Sequence, residues 1–100
     1  MIARVMDFYV GPAVLTLDEE TIGVTAFIDS SKARGLYVWG GFLDTKDHTD
    51  ELRYRAMEAD TTALALPGRE RQLIDVVYTS GGGIGFLGVG PSPLTAQAAT

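Results

Sequence analysis

The chain has 100 residues, a formal net charge of −5 and no cysteine, with 46% hydrophobic and 21% charged residues. This length and balance predict one globular domain with a single modest core. The acidic charge argues against nucleic acid as a partner, since proteins that bind the phosphate backbone concentrate basic residues on one face. Without cysteine, disulfides and thiol catalysis are excluded. We expect a cytoplasmic protein without a membrane span, because no apolar run is long enough.

The first half of the chain predicts three strands. Residues 8–17 form the first strand, with a kink at Gly11-Pro12 because proline cannot donate to a sheet ladder. Residues 21–29 show the clearest period-two alternation, and the short acidic link before them indicates an antiparallel hairpin. Residues 36–43 contain the only tryptophan, Trp39, and have apolar side chains on both faces, so we expect this strand to be covered on both sides.

The second half predicts one more irregular segment and three further strands. Residues 47–59 form one short helix or loop in this prediction. A Glu51/Arg55 pair at i, i+4 favours a helix over 50–59, although the alternation of Leu52, Tyr54 and Ala56 also permits a strand. Turn-forming residues then separate strands at 61–66, 71–79 and 84–90.

Together these patterns predict an all-β domain over residues 1–94, followed by a flexible C-terminal tail at 95–100. Six short antiparallel strands would form a meander that closes into a barrel or half-barrel, with the segment 45–60 capping one opening. A chain this short tends to leave an apolar sheet face exposed, so we expect a homodimer.

Three short motifs occur in order along residues 8–94. They are Tyr9-Val10-Gly11-Pro12-Ala13, Gly35-Leu36-Tyr37-Val38-Trp39-Gly40-Gly41 and Gly85-Phe86-Leu87-Gly88-Val89-Gly90-Pro91-Ser92-Pro93. With these motifs the chain resembles a family of small actinobacterial β domains of unknown function, which occur alone or appended to FAD-dependent monooxygenases. The resemblance implies a setting in actinobacterial secondary metabolism and a flavin-dependent monooxygenase as a partner. It supplies no settled activity.

Two further patterns are better explained without chemistry. Residues 83–88 match G-x-G-x-x-G, but Pro91 and Pro93 forbid the helix that a dinucleotide site needs after this motif. His48 is the only histidine, and its acidic neighbours are typical of a solvated loop. We therefore predict no metal site, no Ser-His-Asp relay and no cofactor.

Aromatic side chains are the strongest candidates for a ligand site. Inside a barrel their rings would supply contact area, while hydroxyl and indole N–H groups would orient a ligand; packing of the core is the alternative explanation. Asp75 would be a buried acid suited to proton transfer if it pointed inward, and would otherwise face solvent. The predicted catalytic residues are Tyr37, Asp75 and Tyr78, and the predicted ligand-binding residues are Tyr9, Trp39, Phe86 and Arg55.

These residues leave three functions open. The first is a barrel that binds a small apolar or aromatic ligand, such as a cofactor-independent cyclase, isomerase or lyase. The second is a non-catalytic accessory or dimerisation module that partners a flavin-dependent monooxygenase, and the third is a purely structural dimer module. Tyr37, Tyr78 and Asp75 converging on an empty cavity would support the enzyme. A filled core with an apolar outer patch would support the accessory.

Overall fold

The chain folds into a closed barrel of six antiparallel strands with one short helix in a computed structural model, which describes residues 5–33, 36–45, 48, 50–80 and 82–94. This confirms the predicted all-β fold. For residues 5–7, 31–33, 36 and 37 the backbone alone is described, and the predicted tail at 95–100 lies outside the described residues. The elements are β1 (Val5–Leu17), β2 (Glu20–Ala33), β3 (Leu36–Asp44), α1 (Asp50–Glu58), β4 (Thr62–Ala65), β5 (Gln72–Ser80) and β6 (Gly83–Gly88).

The order of the strands around the barrel is β1-β2-β3-β6-β5-β4. Each half of the chain is a three-stranded meander, and the two halves meet where β1 pairs with β4 and where β3 pairs with β6. Strands β3 and β4 therefore lie on opposite walls of the ring. The connection between them, which contains α1, has to cross one end of the barrel.

Helix α1 closes this end, as the sequence predicted for the segment 45–60. Leu52 and Ala56 lie one turn apart on the same side of the helix, and both are buried in the core. Arg55 forms an ion pair with Glu20 at the start of β2. The i, i+4 pair predicted for Arg55 and Glu51 is thus replaced by a contact that ties the helix to the barrel wall.

The segment after β6 closes the other end of the barrel. The indole Nε1 of Trp39 donates a hydrogen bond to the carbonyl oxygen of Gly90 at 3.1 Å, and Arg69 donates to the carbonyl oxygen of Pro93. Ser92 and Pro93 are buried. Gly90 has a φ of 83°, which glycine adopts without steric cost, so the chain can turn across the opening at this point.

Apolar side chains fill the interior between these two ends. Trp39 and Phe86 form an edge-to-face pair with ring centroids 6.0 Å apart and an interplanar angle of 73°. The Trp39 ring lies directly over Gly88, where a Cβ atom would overlap it. Val38, on the outer face of β3, is half exposed, so the expectation that this strand is covered on both sides is wrong there. The other fully buried apolar side chains include Leu15, Ile28, Leu43, Leu64 and Ile84.

Gly88→Ala should destabilise the protein because its methyl group would displace the Trp39 ring from a filled interior. We expect a loss of about 1–3 kcal/mol in the free energy of unfolding. The matched control is Gly23→Ala in β2, where nothing lies within 4 Å of the added Cβ and the change should stay below about 1 kcal/mol. Urea unfolding followed by far-ultraviolet circular dichroism measures both variants. Equal effects at the two sites would contradict this packing.

Candidate functional site

The predicted ligand-binding aromatic residues belong to the core. Trp39 and Phe86 are 4% and 2% exposed. The indole N–H of Trp39 donates its hydrogen bond to the carbonyl oxygen of Gly90. The hydroxyl group of the half-buried Tyr9 donates a hydrogen bond to the carbonyl oxygen of Pro12, in the same strand, at 2.6 Å. The polar groups of Trp39 and Tyr9 are thus satisfied by the backbone of the chain.

The predicted catalytic residues do not meet in the interior. Asp75 is exposed on the outer side of β5, and Tyr78 is 53% exposed on the same side. Simple alternation from Ile74 and Val76 would place Tyr78 inside, but a β-bulge between Val76 and Tyr78 reverses its direction. Tyr37 belongs to β3, and its side chain lies outside the described residues.

Arg55 and His48 lie at the end of the barrel that α1 closes, and the side chain of each contacts β2. Arg55 and Glu20 face a surface cleft of about 470 Å³ between the β1–β2 turn and the end of α1. His48 Nε2 lies 3.0 Å from the carbonyl oxygen of Gly23. Within the described ranges, no group of three or more His, Asp or Glu side chains is arranged to hold a metal ion.

The outer surface of β2, β3, β6 and β5 presents a continuous group of large apolar side chains. We call it the aromatic face and define it as Phe27, Phe42, Tyr78 and Leu87. Phe27 pairs with Phe42, Phe42 with Gly85, and Gly85 with Tyr78, so one row crosses four neighbouring strands. Phe27, Tyr78 and Leu87 are 40%, 53% and 57% exposed, and Phe42 is half-buried.

Glycines beneath the aromatic face explain how these side chains pack. The ring of Tyr78 lies where a Cβ atom of Gly85 would be, and the ring of Phe42 lies beside the corresponding position of Gly83. A glycine in a strand has no side chain to cover the ladder, and an aromatic ring from the neighbouring strand can take that role. Gly83 and Gly85 are buried as a result.

A shallow hollow and two carboxylates complete the aromatic face. The hollow has a volume of about 340 Å³ and is lined by Phe27, Phe42, Asp44 and Gly82. Asp29 and Asp75 lie on the two sides of Leu87, in the row formed by Asp29, Gly40, Leu87 and Asp75. Neither Asp29 nor Asp75 forms an ion pair or hydrogen bond within the described part of the chain.

The aromatic face is large enough to be a binding surface. Phe27, Tyr78 and Leu87 each leave about half of their ~150–200 Å² in solvent and Phe42 leaves less, so together they expose on the order of 300 Å². The largest apolar patch of a typical monomer covers about 300–600 Å² and is often functional.

Sequence reasoning did not select Phe27, Phe42 or Leu87 as site residues. One signal was present: Phe27 stands on the otherwise polar side of the β2 alternation, together with Thr21, Thr25 and Asp29. A large apolar residue at such a position is exposed once the opposite side of the strand packs inward.

No protein-family model, curated protein or solved structure matched this chain. The resemblance to small actinobacterial β domains therefore stays a prediction from three short motifs. Across the part of the chain that the structure describes, no helix is long and apolar enough to cross a membrane.

Tyr78→Ala should destabilise the protein because it uncovers the backbone of Gly85. We expect it to cost about 1 kcal/mol more than Leu73→Ala, a matched control at a 52% exposed position of the same strand. Tyr78→Phe should stay within about 0.5 kcal/mol of the parent, since the ring provides the cover. Thermal unfolding of dilute protein measures all three variants. A loss in Tyr78→Phe equal to that in Tyr78→Ala would show that the hydroxyl carries the effect instead.

Proposed function

We propose that the protein is a non-catalytic interaction module that binds a protein partner through its aromatic face. One observation carries this proposal. Phe27, Phe42, Tyr78 and Leu87 lie on the outer sides of four neighbouring strands, in one band that curves around the barrel. Asp75 and Tyr78, two of the three predicted catalytic residues, share that outer side and do not enclose an interior cavity.

The composition of the aromatic face fits a protein partner. The centres of protein–protein interfaces are enriched in aromatic residues, and their rims are polar. Here the rings of Phe27, Phe42 and Tyr78 form the centre, while the exposed carboxylates of Asp29 and Asp75 lie beside it. Tyr and Phe also lose little conformational entropy on binding, because each has only two side-chain torsions.

The small-molecule function has two surface locations in the described part of the chain, the cleft beside Arg55 and Glu20 and the hollow at Phe27 and Phe42. Buried side chains occupy the barrel between α1 and the segment after β6, so a cyclase, isomerase or lyase would have to use one of these two locations. Both are open to solvent, whereas small-molecule sites usually enclose most of their ligand. A flavin-dependent monooxygenase as the partner, and a cytoplasmic location, are supported by the sequence alone.

Oxidative footprinting in the cells that make the protein tests this proposal. Tyr78 and Tyr54 have the same intrinsic reactivity and comparable exposures of 53% and 72%, and Tyr54 lies on α1, which is not part of the aromatic face. If a partner covers the aromatic face, hydroxyl radicals should modify Tyr78 several-fold more slowly than Tyr54.

Phe27→Lys provides the control, because a charge on the aromatic face should release the partner and restore the oxidation of Tyr78. Comparable oxidation of Tyr78 and Tyr54 in cells containing the parent protein would contradict the proposed function.

A further inference from the structure

We infer that the partner protein adds an extended segment, as a further strand, to the free edge of β1 at Phe8 and Val10. This segment has an apolar side chain opposite Val10 and a lysine or arginine opposite Phe8. The inference rests on the proposed function, because it names the part of the partner that anchors it beside the aromatic face. Backbone geometry, side-chain chemistry and charge each support it.

One edge of β1 has no neighbouring strand over most of its length. β4 pairs with β1 only from Val14 to Leu17, whereas β2 pairs with it from Val5 onward. Apart from the ladder with β2, no backbone hydrogen bond reaches residues 5–13 from the described part of the chain. A free strand edge presents unpaired N–H and C=O groups, to which another polypeptide can pair.

The turn between β1 and β2 determines which residues direct their backbone groups to this edge. Leu17 and Glu20 flank a two-residue turn and form a hydrogen-bonded pair, so odd-numbered residues of β1 bond to β2 and even-numbered residues face the other way. Asp18 follows the same alternation, because its N–H donates to a carbonyl oxygen in the segment before β4 at 2.8 Å. Phe8 and Val10 therefore direct both their N–H and their C=O groups to the free edge.

Pro12 limits this edge on the side of the barrel. It faces the same way as Val10 but has no N–H, and its carbonyl oxygen already accepts the hydroxyl hydrogen bond of Tyr9. On the other side, a β-bulge at residues 5–7 interrupts the alternation. The regular part of the free edge is thus short and centred on Phe8 and Val10, which fits one extended segment of a partner.

Side chains beside the edge indicate the chemistry of this segment. Phe8 and Val10 are 70% and 48% exposed on the outer side of β1. Val10 lies opposite Phe27, so an apolar side chain beside Val10 would continue the aromatic face onto the added strand. Phe8 lies opposite the exposed Asp29, and two strand spacings are about 10 Å. A lysine or arginine beside Phe8 would lie over its ring and reach toward the carboxylate of Asp29.

Charge favours a different protein over a second copy of this chain as the source of the segment. The chain has a net charge of −5, and Asp29 forms no ion pair within the described residues. Pairing of two β1 edges would bring a second Asp29 and a second charge of −5 to the same sheet, whereas a basic segment lowers this repulsion. Binding should therefore weaken as salt is added.

Binding of a synthetic peptide to the purified protein tests strand addition directly. The probe is acetylated and amidated, and consists of threonine, valine, threonine, lysine, threonine and valine in that order. In an antiparallel ladder its first valine pairs with Val10 and its lysine with Phe8, so these two residues direct their N–H groups to β1.

N-methylation of the first valine and the lysine of the probe should raise the dissociation constant at least about tenfold, because it removes the donors that face β1. N-methylation of the second and third threonines is the matched control, since their N–H groups face away, and should change the constant less than about twofold. Isothermal titration calorimetry measures all three peptides. No binding of the unmodified peptide, or equal weakening by both methylations, would overturn the inference.

Val10→Pro tests the same edge in the full chain. It removes the N–H that faces the free edge and leaves the ladder with β2 intact, as Pro12 already does on the same side of the strand. Val10→Thr keeps the N–H with a side chain of similar volume and is the control. In cells, Val10→Pro should restore the oxidation of Tyr78 relative to Tyr54 several-fold, and Val10→Thr should not. Circular dichroism of the purified variants checks the fold, and the peptide measurement needs no substitution.

The possible results separate this inference from the proposed function. Slow oxidation of Tyr78 in both the parent and a folded Val10→Pro variant would overturn strand addition but leave a protein partner on the aromatic face. Rapid oxidation of Tyr78 in the parent would overturn both. A dimer in sedimentation equilibrium that the peptide dissociates would assign the edge to a second copy and overturn the basic segment.

Discussion

The packing of the Trp39 ring over Gly88 is the constraint on which the rest of this structure depends. A barrel of eight strands is just wide enough for side chains to fill, and a barrel of six is narrower. The indole of Trp39 occupies the space that glycine leaves, and Phe86 meets it edge to face. With these two rings inside, the chain's own side chains occupy the interior, so a partner of the proposed interaction module would have to bind the outer surface.

In the proposed function, the same outer side chains contribute to stability and to binding of the partner. Glycines on β6 let neighbouring rings lie close to the backbone, so Phe42 and Tyr78 cover Gly83 and Gly85 while remaining partly exposed. A ring held in this way is already ordered before a partner arrives. Because little conformational entropy is then lost on association, more of the contact energy appears as affinity.

Sequence periodicity predicted the strands but could not predict their order around the barrel. Alternation in β2 and the turns before β2 and between β4 and β5 depend on local residues and were identified correctly, whereas β2 continues to Ala33, beyond its predicted end at residue 29. The order depends on the connection through α1, whose buried residues Leu52 and Ala56 were also compatible with a strand. Only the tertiary contacts of these two residues with the core distinguish the alternatives.

The catalytic residues were predicted less accurately than the strands, and the reason lies in β5. Both sides of this strand carry apolar residues, so the pattern alone does not say whether Asp75 faces the core. The bulge between Val76 and Tyr78 then moves Tyr78 to the outer side, and the sequence pattern of β5 did not predict a bulge. Trp39 was predicted as a ligand-binding residue, but the depth of its burial depends on Gly88, which is distant in the sequence.

Fluorescence of Trp39, the sole tryptophan, tests the central claim of a filled interior most directly. Its emission maximum and its quenching by iodide would be recorded while polycyclic, polyketide-like and flavin-like compounds are added. A filled barrel predicts blue-shifted emission, weak quenching and no response to any compound class. A saturable change in emission with one class, retained in Leu87→Lys, would reveal an accessible interior site and contradict the account.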